Sequence, residues 1–121
     1  MANKKTPIKK LIKVVEGFEE KRKKEGITLD LPTRNQFDGI IHWANYMSDA
    51  MENGSKDLAE LIYPMIMDFY NTLHSVSFFL TSGKFAEHKE AEWLQSECKQ
   101  ISDCLRDISD ELYGADDDEE D

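Results

Sequence analysis

The stretch AEWLQSECKQISDCLRDISDEL, residues 91–112, decides the fold class of this chain. Its apolar residues recur at alternating intervals of three and four: Ala91, Leu94, Cys98, Ile101, Leu105, Ile108 and Leu112. Three heptads with this a/d spacing are typical of a helix that packs against other helices in the manner of a coiled coil. We therefore predict a coiled-coil-like C-terminal helix over about residues 85–113, ended by Gly114.

Two helices in the first half of the chain are predicted from their start signals. Thr6 followed by a proline at the first helical position predicts a helix over about residues 7–25. The sequence Thr-Arg-Asn-Gln, which begins at Thr33, has the form of a capping box in which Gln36 reaches back to the first turn. It predicts a second helix over about residues 34–53.

The third predicted helix, over about residues 56–81, is the most apolar segment, with Ser55 as its candidate cap. Pro64 lies inside it, and we expect a kink or a break there because proline has no amide hydrogen. The apolar spacing predicts one buried stripe, which comprises Leu58, Leu61, Ile62, Met65, Ile66, Phe69, Leu73, Val76 and Leu80. Other large side chains lie off that stripe and are either a dimer or partner surface or are covered by neighbouring helices: Tyr63, Met67, Phe78 and Phe79.

Only short connections separate these four segments, and no stretch alternates apolar and polar residues for long enough to form a strand. Short connections favour antiparallel neighbours. We therefore predict an all-α fold, a compact up-and-down bundle of about four helices. A chain of 121 residues suits one domain, which we place at residues 1–113, followed by an acidic tail at 114–121 that is either disordered or docked.

Charge is distributed unevenly along the chain. The 25 acidic and 15 basic residues give a net charge of −10, yet residues 1–26 carry nine basic and four acidic side chains. The carboxylates that we predict to contact a partner lie on the C-terminal helix and in the tail: Glu90, Glu97, Asp103, Asp107, Asp110, Glu111, Asp116, Asp117, Asp118, Glu119, Glu120 and Asp121. Spaced carboxylates on a rigid helix can bind a basic groove by electrostatic complementarity.

The leading functional hypothesis is therefore a non-catalytic acidic protein that binds a basic surface of another protein, one that normally holds nucleic acid. Small acidic helical proteins that phages encode as inhibitors of host defence nucleases are similar to it in size and charge only. The leading hypothesis thus describes a nucleic-acid-mimic inhibitor of the phage-encoded, anti-defence kind. The alternative is a homodimeric helical adaptor or assembly chaperone that uses the exposed aromatic and methionine side chains.

Evidence for chemistry is weak throughout the sequence. There is no phosphate-binding loop and no nucleophile motif, and His88 with Glu92 is only a two-residue match to a metal site. We therefore predict no catalytic residue, metal or cofactor, and an all-α metal-dependent nucleotide hydrolase is the least favoured hypothesis. Cys98 and Cys104 cannot bridge each other on one helix and suggest a cytoplasmic location. The net charge argues against direct nucleic-acid binding, and no apolar run is long enough for a membrane span.

Overall fold

The computed structural model describes residues 6–82 and 89–114, and all the regular structure within them is helical. The helices are α1 (Pro7–Glu16), α2 (Phe18–Lys24), α3 (Leu31–Glu52), α4 (Lys56–Leu80) and α5 (Lys89–Ser109), and a π-helical turn, Asp110–Gly114, follows α5. The all-α prediction is confirmed. There are five α-helices in this part of the chain instead of about four, because the first predicted helix is divided at Gly17.

The four long helices form a ring in which each has two neighbours. Helices α1 and α4 both pack against α3 and α5. Lys9 at the start of α1 forms an ion pair of 2.8 Å with Glu52 at the end of α3. Near the start of α4, the Tyr63 hydroxyl donates a hydrogen bond of 3.2 Å to the Leu105 carbonyl near the end of α5. Neighbouring helices therefore run antiparallel, as expected for an up-and-down bundle.

The break between α1 and α2 places Phe18 in the core. Gly17 has φ −95° and ψ 12°, outside the helical region, and its amide bonds to the Val15 carbonyl. Phe18 then stacks on Phe37 of α3, with ring centroids 4.4 Å apart and the planes 10° from parallel. The basic end of the first predicted helix is therefore a separate short helix, α2, which contacts α3 through Phe18 and α5 through Lys21.

Helix α3 begins three residues earlier than predicted, because its cap is Asp30 and not Thr33. The Asp30 carboxylate accepts a hydrogen bond of 3.0 Å from the Thr33 amide. The Gln36 side chain donates instead to the Pro32 carbonyl at 3.2 Å, so the predicted capping box is wrong. Ser55 likewise makes no capping hydrogen bond through its side chain before α4.

The proline inside α4 does not end the helix, which is continuous from Lys56 to Leu80. The backbone carbonyl that loses its helical donor to Pro64 is that of Glu60, four residues earlier. The Tyr113 hydroxyl, in the π-helical turn after α5, lies 3.4 Å from this carbonyl and donates to it. The Tyr113 hydroxyl therefore supplies the hydrogen bond that the Glu60 carbonyl cannot receive from Pro64.

The core is formed by one face of each long helix. All seven residues of the predicted α5 seam are buried, from Ala91 to Leu112. They meet large buried side chains from the other helices, among them Leu11, Phe37, Ile40, Met47, Ile66 and Leu73. Within the described ranges, none of the helices is sufficiently long and apolar to cross a membrane.

Candidate functional site

The most unusual surface of the bundle is one line of residues along α4, which we call the α4 outer face. It comprises Leu61, Met65, Asp68, Thr72, Ser75 and Phe79, and all six are exposed. Leu61 is 70% exposed, Met65 44% and Phe79 62%. Leu61 and Met65 were predicted to lie in the buried stripe, and that prediction is wrong.

The reason is that α4 carries two adjacent lines of apolar residues and only one of them faces the core. Ala59, Ile62, Ile66 and Leu73 are buried between the flanking helices. The α4 outer face lies roughly 100° around the helix from Ile62, at 100° per residue. Its polar members Asp68, Thr72 and Ser75 were the signal in the sequence that this line is the solvent side.

The last twenty residues of α4 are also depleted in charge. From Leu61 to Leu80 the sequence contains a single Asp, Glu, Lys or Arg, which is Asp68. Helix α5, of similar length, contains eight charged residues. In a chain that is 33% charged, the exposed Leu61 and Met65 side chains therefore lie in a stretch with few charges.

The neighbouring helix α3 extends this low-charge surface. Gly39 of α3 contacts the ring of Phe69 in α4, which fixes the antiparallel register of the pair. Trp43 and Tyr46 lie four and seven residues after Gly39, on the same side of α3, and their rings are 5.8 Å apart. Trp43 is half-buried and Tyr46 is exposed, so aromatic side chains border the α4 outer face.

The four side chains predicted to form an apolar partner surface do not lie together. Phe78 is 69% exposed and lines a groove between α4 and α5, whereas Phe79 lines a second groove beside Leu29 and the start of α3. Tyr63 and Met67 are half-buried against the core. The ring of Tyr63 also packs edge-on against Tyr113, with centroids 5.9 Å apart.

Among the predicted partner-binding carboxylates, Glu97 is the one whose position differs most from expectation. It is 4% exposed, and both of its oxygens accept hydrogen bonds from the Lys21 ammonium, at 2.8 and 3.0 Å. Glu97 lies four residues after Trp93 and four before Ile101, within the buried side of α5, and this spacing was the available signal. Its carboxylate ties α2 to α5 and is not part of the exposed acidic surface.

Two other predicted carboxylates are also engaged within the chain. Asp103 accepts from Arg106 at 2.9 Å and lies 3.7 Å from Lys99. The hydrogen bond from Arg106, followed by the charge of Lys99, holds the pKa of Asp103 below its ordinary value. Glu90 accepts a hydrogen bond of 3.2 Å from the Thr28 amide.

The end of α5 retains an acidic group. Asp107, Asp110 and Glu111 are exposed and form no ion pair with any other residue in the described part of the chain. Of the predicted acidic tail, residues 114–121, Gly114 ends the π-helical turn and residues 115–121 lie outside the described residues, so the relation of the tail carboxylates to this group is a prediction only. Three of the six carboxylates predicted on the C-terminal helix are thus engaged by other residues of the chain.

The thiols and the histidines form no reactive cluster within the described ranges. Burial raises the pKa of the Cys98 thiol to about 12, and it also raises the pKa of the Cys104 thiol. No three His, Cys, Asp or Glu side chains among residues 6–82 and 89–114 are grouped so that they could hold a metal ion. Comparisons of the chain with protein-family models, with curated proteins and with solved structures found no match.

Proposed function

We propose that this protein is a non-catalytic interaction protein that associates with another protein through the α4 outer face. The observation that carries the proposal is the exposure of Leu61 and Met65 within a stretch of α4, Leu61–Leu80, in which Asp68 is the single Asp, Glu, Lys or Arg. Burying a fully exposed leucine or methionine side chain is favourable by about 1.5–3 kcal/mol. Such side chains are where binding energy concentrates when a partner covers them.

The surroundings of the face support the same function. Its flanks carry aromatic side chains, Trp43 and Tyr46, which are enriched at interfaces because they combine a large apolar area with a polar group. The bundle beneath is rigid, since Ile62, Ile66 and Leu73 of the same helix are fixed in the core. A preorganised apolar helix face binds without the entropic cost of ordering a loop.

A binding assay with matched variants tests the proposal. The tagged chain, immobilised, is compared with Leu61→Glu, which puts a charge on the face, and with Gln100→Glu, which puts the same charge on an exposed position of α5. We expect Leu61→Glu to abolish capture of the partner and Gln100→Glu to retain it, with circular dichroism unchanged in both. Equal capture by all three proteins would refute the proposal.

A second candidate function uses the carboxylates. Asp107, Asp110 and Glu111 are unpaired within the described residues, and the sequence continues to six further carboxylates at 116–121. A protein that presents this group to a basic, nucleic-acid-binding surface of a partner would act as a nucleic-acid mimic of the kind that phages encode. Here charge reversal at Asp107, Asp110 and Glu111 should weaken capture, and capture should fall steeply as salt is raised.

A further inference from the structure

Resting on the proposed function, we infer that the partner of the α4 outer face is a second copy of this chain, packed antiparallel through α4. The residues of the face have the spacing of a coiled-coil seam, which can pack against the same seam of a second copy. Its residues, from Leu61 to Phe79, are separated by intervals of 4, 3, 4, 3 and 4. This is a heptad a/d pattern that is separate from the side of α4 facing the bundle core, and a second helix can pack into it knobs-into-holes.

The order of residues along the seam determines the direction of the second copy. In the antiparallel register centred between Asp68 and Thr72, Leu61 lies opposite Phe79 of the second copy and Met65 opposite Ser75. Asp68 lies opposite Thr72, whose hydroxyl can donate to its carboxylate. A parallel pair in register would instead place the two Asp68 carboxylates opposite each other, which is destabilising. Antiparallel helix dipoles favour the same arrangement.

Charge explains why this face in particular suits a second copy. Two chains that each carry −10 repel each other across most of their surfaces. The stretch from Leu61 to Leu80 carries only Asp68, so repulsion is smallest where the two α4 helices meet. A highly charged partner would gain little from a face with so few charges, whereas an identical face, with Asp68 as its one carboxylate, matches it.

The area that the seam must bury is that of a modest dimer. Leu61, Met65 and Phe79 together expose about 300 Å² per copy, scaled from the areas that large side chains bury. A specific interface at the lower size limit buries about 600 Å² per copy, so the polar seam residues and the bordering Trp43 and Tyr46 must supply the other half. We therefore expect a dissociation constant in the micromolar range.

Cysteine cross-linking tests both the partner and the direction. Met65→Cys and Ser75→Cys are made as separate variants of the full chain, and both positions are exposed. Mixed and oxidised, they should give a disulfide-linked heterodimer, because positions 65 and 75 face each other in the antiparallel pair. Either variant oxidised by itself should form no disulfide-linked dimer, since equivalent positions are then about 15 Å apart along the helix. The native thiols Cys98 and Cys104 are buried and should not interfere.

Sedimentation equilibrium gives the second readout. We expect the wild-type chain and Gln100→Glu to dimerise alike and Leu61→Glu to raise the dimer dissociation constant at least tenfold. Efficient cross-linking of a single variant with itself would overturn the antiparallel register. A wild-type chain that stays monomeric to about 1 mM, three decades above the micromolar range expected, would overturn the dimer. If that monomer still captures another protein through Leu61, the proposed function stands and only the identity of the partner is wrong, whereas capture of neutral phosphatidylcholine vesicles alone would overturn both.

Discussion

Replacing Gly39 by alanine should destabilise the protein, although the usual rule for a helix interior predicts the opposite. Exchange of glycine for alanine in a helix normally gains about 1 kcal/mol. At Gly39, however, an added Cβ would lie 2.7 Å or less from three ring carbons of Phe69. Carbon atoms pack best at about 3.5–4.0 Å, so the Phe69 ring or the whole of α4 must move by about 1 Å.

The two effects can be compared in magnitude. Overpacking of a well-packed helix contact costs about 1–3 kcal/mol. Set against the propensity gain, Gly39→Ala should lower the free energy of unfolding by about 1 kcal/mol, which corresponds to a fall of about 4 °C in Tm for a chain of this size. Because Phe69 is half-buried, its ring can turn towards solvent, which keeps the cost from being larger.

Urea denaturation followed by circular dichroism measures this change, with two controls. Gly17→Ala adds a Cβ with no neighbour within 4 Å and should be neutral or slightly stabilising. In a Phe69→Ala background the clash is absent, so Gly39→Ala should then stabilise by about 1 kcal/mol. If Gly39→Ala raises the stability of the otherwise unchanged chain, the close α3–α4 contact described here is incorrect.

Three further predictions concern other parts of the bundle. Lys21→Met should lower the free energy of unfolding by about 1–2 kcal/mol, because it leaves the buried Glu97 carboxylate unpaired. This is less than the loss of a fully buried ion pair, because the Lys21 side chain is 37% exposed. Asp30→Ala should cost about 1 kcal/mol at pH 7 by removing the cap of α3. Hydrogen bonds from the Thr33 side chain and amide lower the pKa of Asp30. The part of the stability loss in Asp30→Ala that depends on the charge of Asp30 should therefore persist above pH 3.8 and vanish as the pH falls below the lowered pKa. Burial raises the pKa of Cys98 to about 12, so Cys98 should react with a thiol reagent at pH 8 at least about tenfold more slowly in the folded protein than when unfolded.

Each of these has a result that would contradict it. Lys23→Met is the matched control for Lys21→Met, since Lys23 is an exposed residue of the same helix, and equal effects of the two would show that the Glu97 contact contributes nothing. Adding Glu97→Gln to Lys21→Met should recover part of the loss. If the stability difference between the wild-type chain and Asp30→Ala stays constant from pH 7 to pH 2, the ionised carboxylate of Asp30 does not stabilise the helix start. Rapid labelling of Cys98 in native buffer would show that this part of the core opens readily.

Periodicity in the sequence was sufficient to predict the helices and most of the core. The seam of α5 is buried from Ala91 to Leu112 as its heptad spacing indicates, because a strict 3–4 pattern defines a single face. Helix ends were less accurate. Thr33 and Asp30 are both good capping residues, and the choice between them depends on which backbone amide the carboxylate reaches in three dimensions.

Exposure on α4 could not be read from hydrophobicity alone. A helix with two apolar lines can turn either one inward, and the neighbouring helices decide which. The line containing Ile62 and Ile66 fits between α3 and α5, which leaves Leu61 and Met65 outside. The error at Glu97 is the opposite one, because its charge led to the prediction that it is exposed. Its burial depends on the ion pair with Lys21, which is 76 residues away in sequence. Long-range pairing of this kind leaves no local pattern.

The salt dependence of binding tests the role of the α4 outer face most directly. The dissociation constant of the complex that the chain forms, with itself or with a captured protein, is measured at about 50 mM and about 500 mM NaCl, a range over which surface charges become largely screened. We predict a constant that stays within about threefold or becomes tighter with salt, because apolar contacts provide the binding energy. A loss of affinity of tenfold or more would contradict this and would assign the interaction to the carboxylates at the end of α5.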